Sequence, residues 1–363
     1  MPFMNRFNFQ TLVVPIWLTV LVIGCAHQNP YYDPKQSHHR PNGFVNSDGT
    51  TVSKSFHDLI RWYRERFGKS LPPPPGQFIS SYEAFPVHLF NAKVDLNNLS
   101  QTATWLGHAT TLVRSNGFPL LTDPHFSERA FPVQWIGPQR KVKSPVSVAN
   151  LPPIDVVVIS HNHYDHMDRD SLIELAQLQP QILFLVPLGV EKTFLRWGIT
   201  QVKALDWWQT LKLPDHSTEL IFVPAYHWSA RSFFDRNESL WGGWVLKQPN
   251  FSFYFSGDTG YNTQDFTQIG SKYGPFDLSA IAVGAYEPRW FMKAQHINPD
   301  EALQIHLDVQ SKRSIGVHWG TFELTDEPLD QPIDDLQHAL IQRQIPKNQF
   351  MLLKQGETIS LSP

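Results

Sequence analysis

The sequence predicts an α/β catalytic domain of mixed sheets flanked by helices, on three observations. From Ser100 onward, short apolar strands alternate with helical stretches, a pattern satisfied by sheets covered with outer helices. Several of those strands run directly into a histidine or an aspartate. No internal repeat, low-complexity block or Pro/Gly/Ser-rich linker interrupts residues 101–363, so one catalytic domain is the simpler partition, although 363 residues would accommodate two. A composition of 41% hydrophobic and 17% charged residues is that of a folded globular chain. A net charge of -3 without a long basic run leaves no electrostatic footprint for nucleic acid, which is excluded as a partner.

The elements follow in order. Residues 1–24 read as a signal peptide: Arg6 is the lone basic residue, and the mostly apolar run Thr11 to Ile23 is short for a membrane span, which takes about 20 residues. Val22-Ile23-Gly24-Cys25 resembles a bacterial lipobox, which implies cleavage before Cys25 and lipidation of that residue. One acyl chain anchors only marginally, but bacterial lipoproteins are multiply acylated, so stable attachment to the membrane surface is expected. Ala26, where Asp would be the retention signal, resembles lipoproteins sorted to the outer membrane, so the expected location is the cell envelope. Cys25 is the only cysteine, which excludes a disulfide within the chain.

Residues 25–54 are polar, without an apolar period, and predict a flexible tether. Residues 55–100 form an extension packed on the catalytic domain. Within it Phe56, Leu59, Ile60, Tyr63 and Phe67 predict an amphipathic helix ended by Gly68 and the run Pro72 to Pro75. Arg61, Arg64, Arg66 and Lys69 beside Trp62 and Tyr63 would also suit a membrane-facing helix. Strands are predicted at 102–106, 110–114, 119–122, 155–160, 182–186, 219–223, 251–255, 278–283, 314–318 and 350–353, and helices at 171–178 and 299–309.

The chemistry is concentrated at strand ends. Val156-Val157-Val158-Ile159 leads into Ser160-His161-Asn162-His163-Tyr164-Asp165-His166, which puts three imidazoles and a carboxylate in one loop. Neutral imidazole nitrogens and anionic oxygens are what a borderline divalent ion such as zinc binds, at about 2.0 to 2.2 Å. His227, Asp258 and His318 repeat the design after the runs 221–226, 253–257 and 315–317. Taken singly, each would be an ordinary core or surface residue; together with the first motif they make a seven-residue ligand set.

His-x-His-x-Asp-His followed by separated His, Asp and His resembles the metallo-β-lactamase superfamily. The resemblance implies an αββα four-layer sandwich with two Zn²⁺ at one edge. His161, His163 and His227 would hold the first ion, Asp165, His166 and His318 the second, and Asp258 would bridge them. Two ions about 3.5 to 4 Å apart can share a water, lower its pKa and clamp both oxygens of an in-line displacement. Asp165 and Asp258 would thereby belong to the catalytic machinery.

Narrower stretches, including 103–110, Leu121-Thr122-Asp123-Pro124, 151–155, Leu205-Asp206-Trp207-Trp208 and 284–292, resemble the N-acylphosphatidylethanolamine-hydrolysing phospholipase D family over residues 78–358. The resemblance implies a membrane phospholipid substrate cut to N-acylethanolamine and phosphatidic acid, and suggests a homodimer. It marks His296 as the group serving the departing alkoxide, and Gln134, Trp135, Tyr164 and Gln295 as neighbours of the substrate. The family has Tyr where Trp135 stands, so a hydroxyl is missing there. His108 and Asp123 would hydrogen-bond around the site and orient its ligands. Phe131, Trp135, Trp228, Phe233 and Phe234, in loops flanking ligands, are expected as exposed membrane contacts. The competing expectation is a metallo-hydrolase of a small soluble lactone or phosphodiester, because one metal cage serves many reactions.

Overall fold

A computed structural model describes residues 28–97, 99–213 and 217–361. Cys25 and the apolar run before it lie outside the described residues. A short hairpin, β1 (His39–Arg40) and β2 (Gly43–Phe44), and helices α1 (Phe56–Arg66) and α2 (Ala92–Asp95) precede the main body. The first large sheet contains β3 (Gln101–Gly107), β4 (Thr110–Ser115), β5 (Phe118–Thr122), β6 (Val156–Val158), β7 (Leu183–Pro187) and β8 (Val202–Leu205). The second contains β9 (Thr210–Leu213), β10 (Thr218–Val223), β11 (Gly243–Gln248), β12 (Phe251–Phe255), β13 (Leu278–Ala282), β14 (Ser314–Val317) and β15 (Phe350–Met351). The last strand, β16 (Thr358–Ser360), returns to pair with β3, so the order is β16-β3-β4-β5-β6-β7-β8 in one sheet and β15-β14-β13-β12-β11-β10-β9 in the other. In each sheet, antiparallel hairpins give way to parallel strands at β5–β6 and at β12–β13.

The period of two along each strand sorts side chains into layers. Val156 and Val158 pack between the two sheets with Val113, Leu120, Phe222, Trp244 and Phe253. Val157 and Ile159 face the other way, into a second core with Leu172 and Leu175 of α3 (Arg169–Leu178) and Phe194 of α4 (Glu191–Arg196). On the far side, α5 (Thr263–Tyr273), α7 (Pro299–Asp308) and α8 (Gln331–Gln342) bury Phe266, Leu303 and Leu336, while the one-turn α6 (Arg289–Met292) lies ahead of α7. The result is the four-layer αββα sandwich.

One expectation for the N-terminal extension is corrected. Residues 29–50 are not a free tether: they lie along the domain, with His38, His39, Phe44, Val45 and Asn46 buried. His38 stacks on Trp207 at 4.3 Å and its Nε2 lies 2.7 Å from Asp206 Oδ1, while His39 Nε2 lies 3.0 Å from Oδ2. This attachment is largely polar, which is why no apolar period announced it. Helix α1 docks, but by the face opposite its apolar stripe. Trp62 stacks on Phe291 at 5.6 Å, Arg61 covers Trp290 at 3.9 Å, and Arg66 pairs with Asp326. Phe56, Tyr63 and Phe67 face solvent, 78%, 65% and 77% exposed. No helix among the described residues is long and apolar enough to cross a membrane.

Candidate metal centre

The candidate ligands and the side chains around them are delivered by strand ends and held by strained turns. β5 ends at Asp123, β6 at the loop 160–166, β12 at Asp258 and β14 at His318, while His108 occupies the β3–β4 turn. His108, Asp123 and His318 have φ of 47°, 33° and 63°, a region that costs a non-glycine residue roughly 1–3 kcal/mol and clusters at functional sites. Backbone bonds lock them: His318 N–H donates to His108 O at 2.8 Å, His108 N–H to Thr321 Oγ1 at 2.8 Å, and Asp123 N–H to Val158 O at 3.0 Å. Gly284 lets β13 approach this turn, since a Cβ there would meet the His318 carbonyl oxygen at 2.1 Å.

The seven expected ligands converge in two groups. In the first, His163 Nδ1 lies 2.8 Å from His161 Nε2 and 3.3 Å from His227 Nε2. Tetrahedral donors about 2.05 Å from a zinc ion stand about 3.3 Å apart, so this spacing suits one ion. In the second, Asp165 Oδ2 lies 3.4 Å from His166 Nε2 and 3.2 Å from His318 Nε2. Asp258 Oδ2 stands between the groups, 3.0 and 3.2 Å from His166 and His318 and 4.0 Å from both His161 and His227. Its Oδ1 is buried without a hydrogen bond.

Partners on the far ring nitrogens aim the imidazoles. His227 Nδ1–H donates to the Gln295 carbonyl at 2.9 Å, and His166 Nδ1–H to Asp123 Oδ2 at 2.7 Å. Ser160 Oγ–H donates to the same Asp123 oxygen at 2.5 Å and accepts from His161 Nδ1–H at 2.9 Å. Each of these three rings therefore presents an unprotonated Nε2 to the site when neutral. Burial, reinforced by neighbouring imidazoles, holds His161 and His163 well below the ordinary histidine value, and burial lowers His227 to about 4. Burial opposes ionisation of Asp165 and Asp258 too, but the imidazoles around them outweigh it and hold both well below the carboxylate range. For His318 burial is likewise outweighed, by Asp258 and Asp165, and the value rises to about 9. Imidazoles on one side, imidazoles and a carboxylate on the other, and the Asp258 carboxylate between them with its Oδ1 orphaned make a donor set that fits two divalent cations.

The remaining candidates divide by position. His108 Nε2 lies 3.0 Å from Asp165 Oδ2, so it joins the second group's edge, and Asp123 holds His166 and Ser160. His296 is at the centre, its Nδ1 3.7 Å from Asp258 Oδ2, and burial lowers it to about 3, so it faces the site as a neutral imidazole. Gln295 contributes its backbone carbonyl to His227, while its amide points to Met292 Sδ at 3.6 Å. Tyr164 turns away from the ligands: its hydroxyl donates to Arg231 O at 2.7 Å, and its ring lies under the Arg231 guanidinium at 3.9 Å. Gln134 bonds Arg129 N–H and O within its own loop, at 2.9 and 3.2 Å. Trp135 stands 77% exposed at that loop's tip and is not brought to the cluster. Tyr164, Gln134 and Phe131 instead line a cavity of about 720 Å³ beside the metal loop. Phe233 and Phe234 are fully or nearly fully exposed. Trp228 corrects that group: it packs edge-on against His163 at 4.3 Å and beneath Arg236 at 4.0 Å.

Three contributors were not read from the sequence. Ser160 links Asp123 to His161, and its small polar side chain at a strand end carried no distinguishing signal. Asn46, fully buried in the N-terminal segment, accepts from the His227 backbone N–H and from Trp241 Nε1, each at 3.1 Å. Arg231 pins the metal loop by donating to the Asn162 and Met167 carbonyls at 2.9 and 2.8 Å.

Known proteins resemble this chain over most of its length. The family model described as a beta-lactamase superfamily domain matches residues 119–319. An N-acyl-phosphatidylethanolamine-hydrolyzing phospholipase D 1 of Caenorhabditis elegans is 38% identical over 326 residues, covering 87% of this chain and 90% of its own. An uncharacterised protein of Mycobacterium tuberculosis is 43% identical over 321 residues, covering 86% and 80%. Among solved structures, an isothiocyanate hydrolase from Delia radicum gut bacteria superposes with a TM-score of 0.56 at 17% identity, over 71% of this chain and 98% of that one, a likeness of fold alone.

Proposed function

We propose that this chain, which belongs to the N-acylphosphatidylethanolamine-hydrolysing phospholipase D family of the metallo-β-lactamase superfamily, is a two-zinc phospholipid phosphodiesterase of the cell envelope. It is a metal-dependent hydrolase of this fold, and we read phospholipid as its substrate, zinc as its metal and Cys25 as its lipid anchor. The observation that carries it is the placement of Asp258 Oδ2 between two candidate ligand groups, 3.0 to 4.0 Å from the imidazoles of His161, His166, His227 and His318.

His161, His163 and His227 would hold one ion, and Asp165, His166 and His318 the other, with Asp258 shared. Bound divalent ions supply Lewis-acid polarisation of phosphoryl oxygens and activation of water at neutral pH. The chain's own groups set the geometry. Asp123, Ser160 and the Gln295 carbonyl fix imidazole tautomers, so no ring has to turn during the reaction. Hydrolysis adds a water oxygen to phosphorus, breaks the bond from phosphorus to the headgroup oxygen and returns a proton to the departing N-acylethanolamine oxygen. His296, neutral and facing Asp258, is the side chain placed to hold that proton path. The cavity beside Tyr164 offers room for an amphiphile at the edge of the site.

The test is hydrolysis by the purified, detergent-solubilised protein of N-acylphosphatidylethanolamine, phosphatidylethanolamine, phosphatidylcholine and a soluble phosphodiester, with chelator and zinc readdition. N-acylethanolamine and phosphatidic acid, lost with chelator and restored by zinc, are the expected products. Turnover of the soluble compound alone would favour the small-substrate reading and refute the phospholipid one.

A further inference from the structure

We propose that the mature chain rests on the bilayer by the rim of the cavity beside the metal centre, and that lipidated Cys25 acts as a short leash holding that face down. The proposal rests on the lipoprotein reading above and adds an orientation to it. Its first basis is chain length. Asn29 is tied into the fold: its N–H donates to Pro41 O at 2.7 Å, and its side-chain amide to Gly43 O at 2.9 Å and Arg40 O at 3.2 Å. Cys25 precedes it by only four residues, and four residues fully extended reach about 14 Å. An acylated cysteine sits at headgroup level, so Asn29 must lie within about that distance of the membrane surface.

The second basis is where Asn29 sits. Asn29 and Pro30 line the cavity together with Tyr164 of the metal loop, Phe131, Gln134 and Ser232. The loops supplying Phe131 and Ser232 are those that lift apolar side chains into solvent. Phe233 is 100% exposed, Phe234 90% and Trp135 77%, an arrangement that water disfavours and a bilayer interface accepts. The point where the anchor enters the fold and the apolar loop tips therefore share one rim, to which Asn162 and Tyr164 of the metal loop also belong. A leash of tens of residues would let the enzyme tumble; one of four residues presents the site to the surface from which its substrate must be drawn.

The test uses the mature lipidated protein in phospholipid vesicles. A flexible Gly/Ser insertion of about 20 residues between Ala26 and His27 makes the leash about sixfold longer. Turnover of vesicle substrate should fall about fifteenfold, following the −3/2-power decline of effective concentration with tether length. Turnover of detergent-dispersed substrate should not change, because the insertion lies outside the site. An environment-sensitive fluorophore on Phe233→Cys, the only free thiol once Cys25 is acylated, should be quenched by brominated lipid. Unchanged vesicle turnover with the long leash would overturn the proposal. So would a probe at 233 left in water while one at Phe67→Cys, on the exposed stripe of α1, enters the bilayer. A shift at 233 that depends on protein concentration without vesicles would assign the rim to a second copy of the chain instead. Mass spectrometry of the mature N-terminus separates the premises: absent acyl chains would end the leash while leaving the detergent-phase phosphodiesterase reading intact, and absent detergent-phase turnover would do the reverse.

Discussion

Replacing Asp123 with asparagine should disable the second metal position without touching a ligand. The Asp123 carboxylate accepts three bonds, from Ser160 N–H at 2.7 Å, Ser160 Oγ–H at 2.5 Å and His166 Nδ1–H at 2.7 Å. Asparagine has the same shape but one acceptor. If its oxygen keeps the Ser160 backbone bond, its NH₂ must face His166 Nδ1, where donor meets donor. His166 can relieve this only by moving its proton to Nε2, the atom aimed at Asp165 and Asp258. A ring protonated there offers no lone pair to a cation. Loss of such an orienting partner typically costs 10–100-fold in metal affinity, which is about 1.4 to 2.7 kcal/mol. The assay is competition with a chromophoric chelator on wild-type and Asp123→Asn protein, with circular dichroism to verify the fold. One weakened and one intact binding step is the expected outcome. Two steps of wild-type affinity would refute the tautomer argument.

Four further outcomes follow from the same geometry. Asp258→Asn should abolish turnover with the circular dichroism spectrum unchanged; wild-type rates would remove Asp258 from the metal set. Gly284→Ala forces a methyl onto the His318 carbonyl, so the melting temperature should drop by the equivalent of about 1–3 kcal/mol, and metal affinity with it. Asn46→Ala leaves the His227 backbone N–H without its acceptor while Trp241 keeps Ala225 O at 3.1 Å; a loss of about 1–3 kcal/mol in denaturant unfolding is expected. His306, buried against Ser314 Oγ at 2.8 Å, is lowered by burial to about 4. The unfolded chain takes that proton near the ordinary 6.5 and the folded chain refuses it, so stability is full above about pH 6.5 and declines as pH falls toward 4. His306→Gln should flatten that slope in urea titrations between pH 7 and 4.

What the sequence made legible was the part written in short range. Apolar runs such as 156–159 and 253–257 end in candidate ligands because the residues after a strand emerge at one edge of the sheet, and the seven candidates converge where that pattern puts them. The less legible elements carry weaker local signals. β8 and β9 are edge strands with exposed positions, and α5 buries only Asp265, Phe266, Ile269 and Gly270, too few apolar residues for a clear period. α8 carries a readable period in Pro332, Leu336, Ala339 and Leu340. The N-terminal segment reads as a tether because its burial runs through His38, His39 and Asn46, whose partners Asp206, His227 and Trp241 are distant in sequence. The orientation of α1 was hidden for the opposite reason: a clear apolar stripe normally marks the buried face, and here Trp62 and Arg61 dock while the stripe stays in water.

The central claim is that Asp258 stands between two metal ions. Anomalous diffraction at the zinc edge from crystals grown with zinc, beside elemental analysis of the same protein, tests it most directly. The account predicts two ions per chain, about 3.5 to 4 Å apart on either side of Asp258, one held by His161, His163 and His227 and the other by Asp165, His166 and His318. A single peak, or two peaks that leave Asp258 uncoordinated, would contradict it.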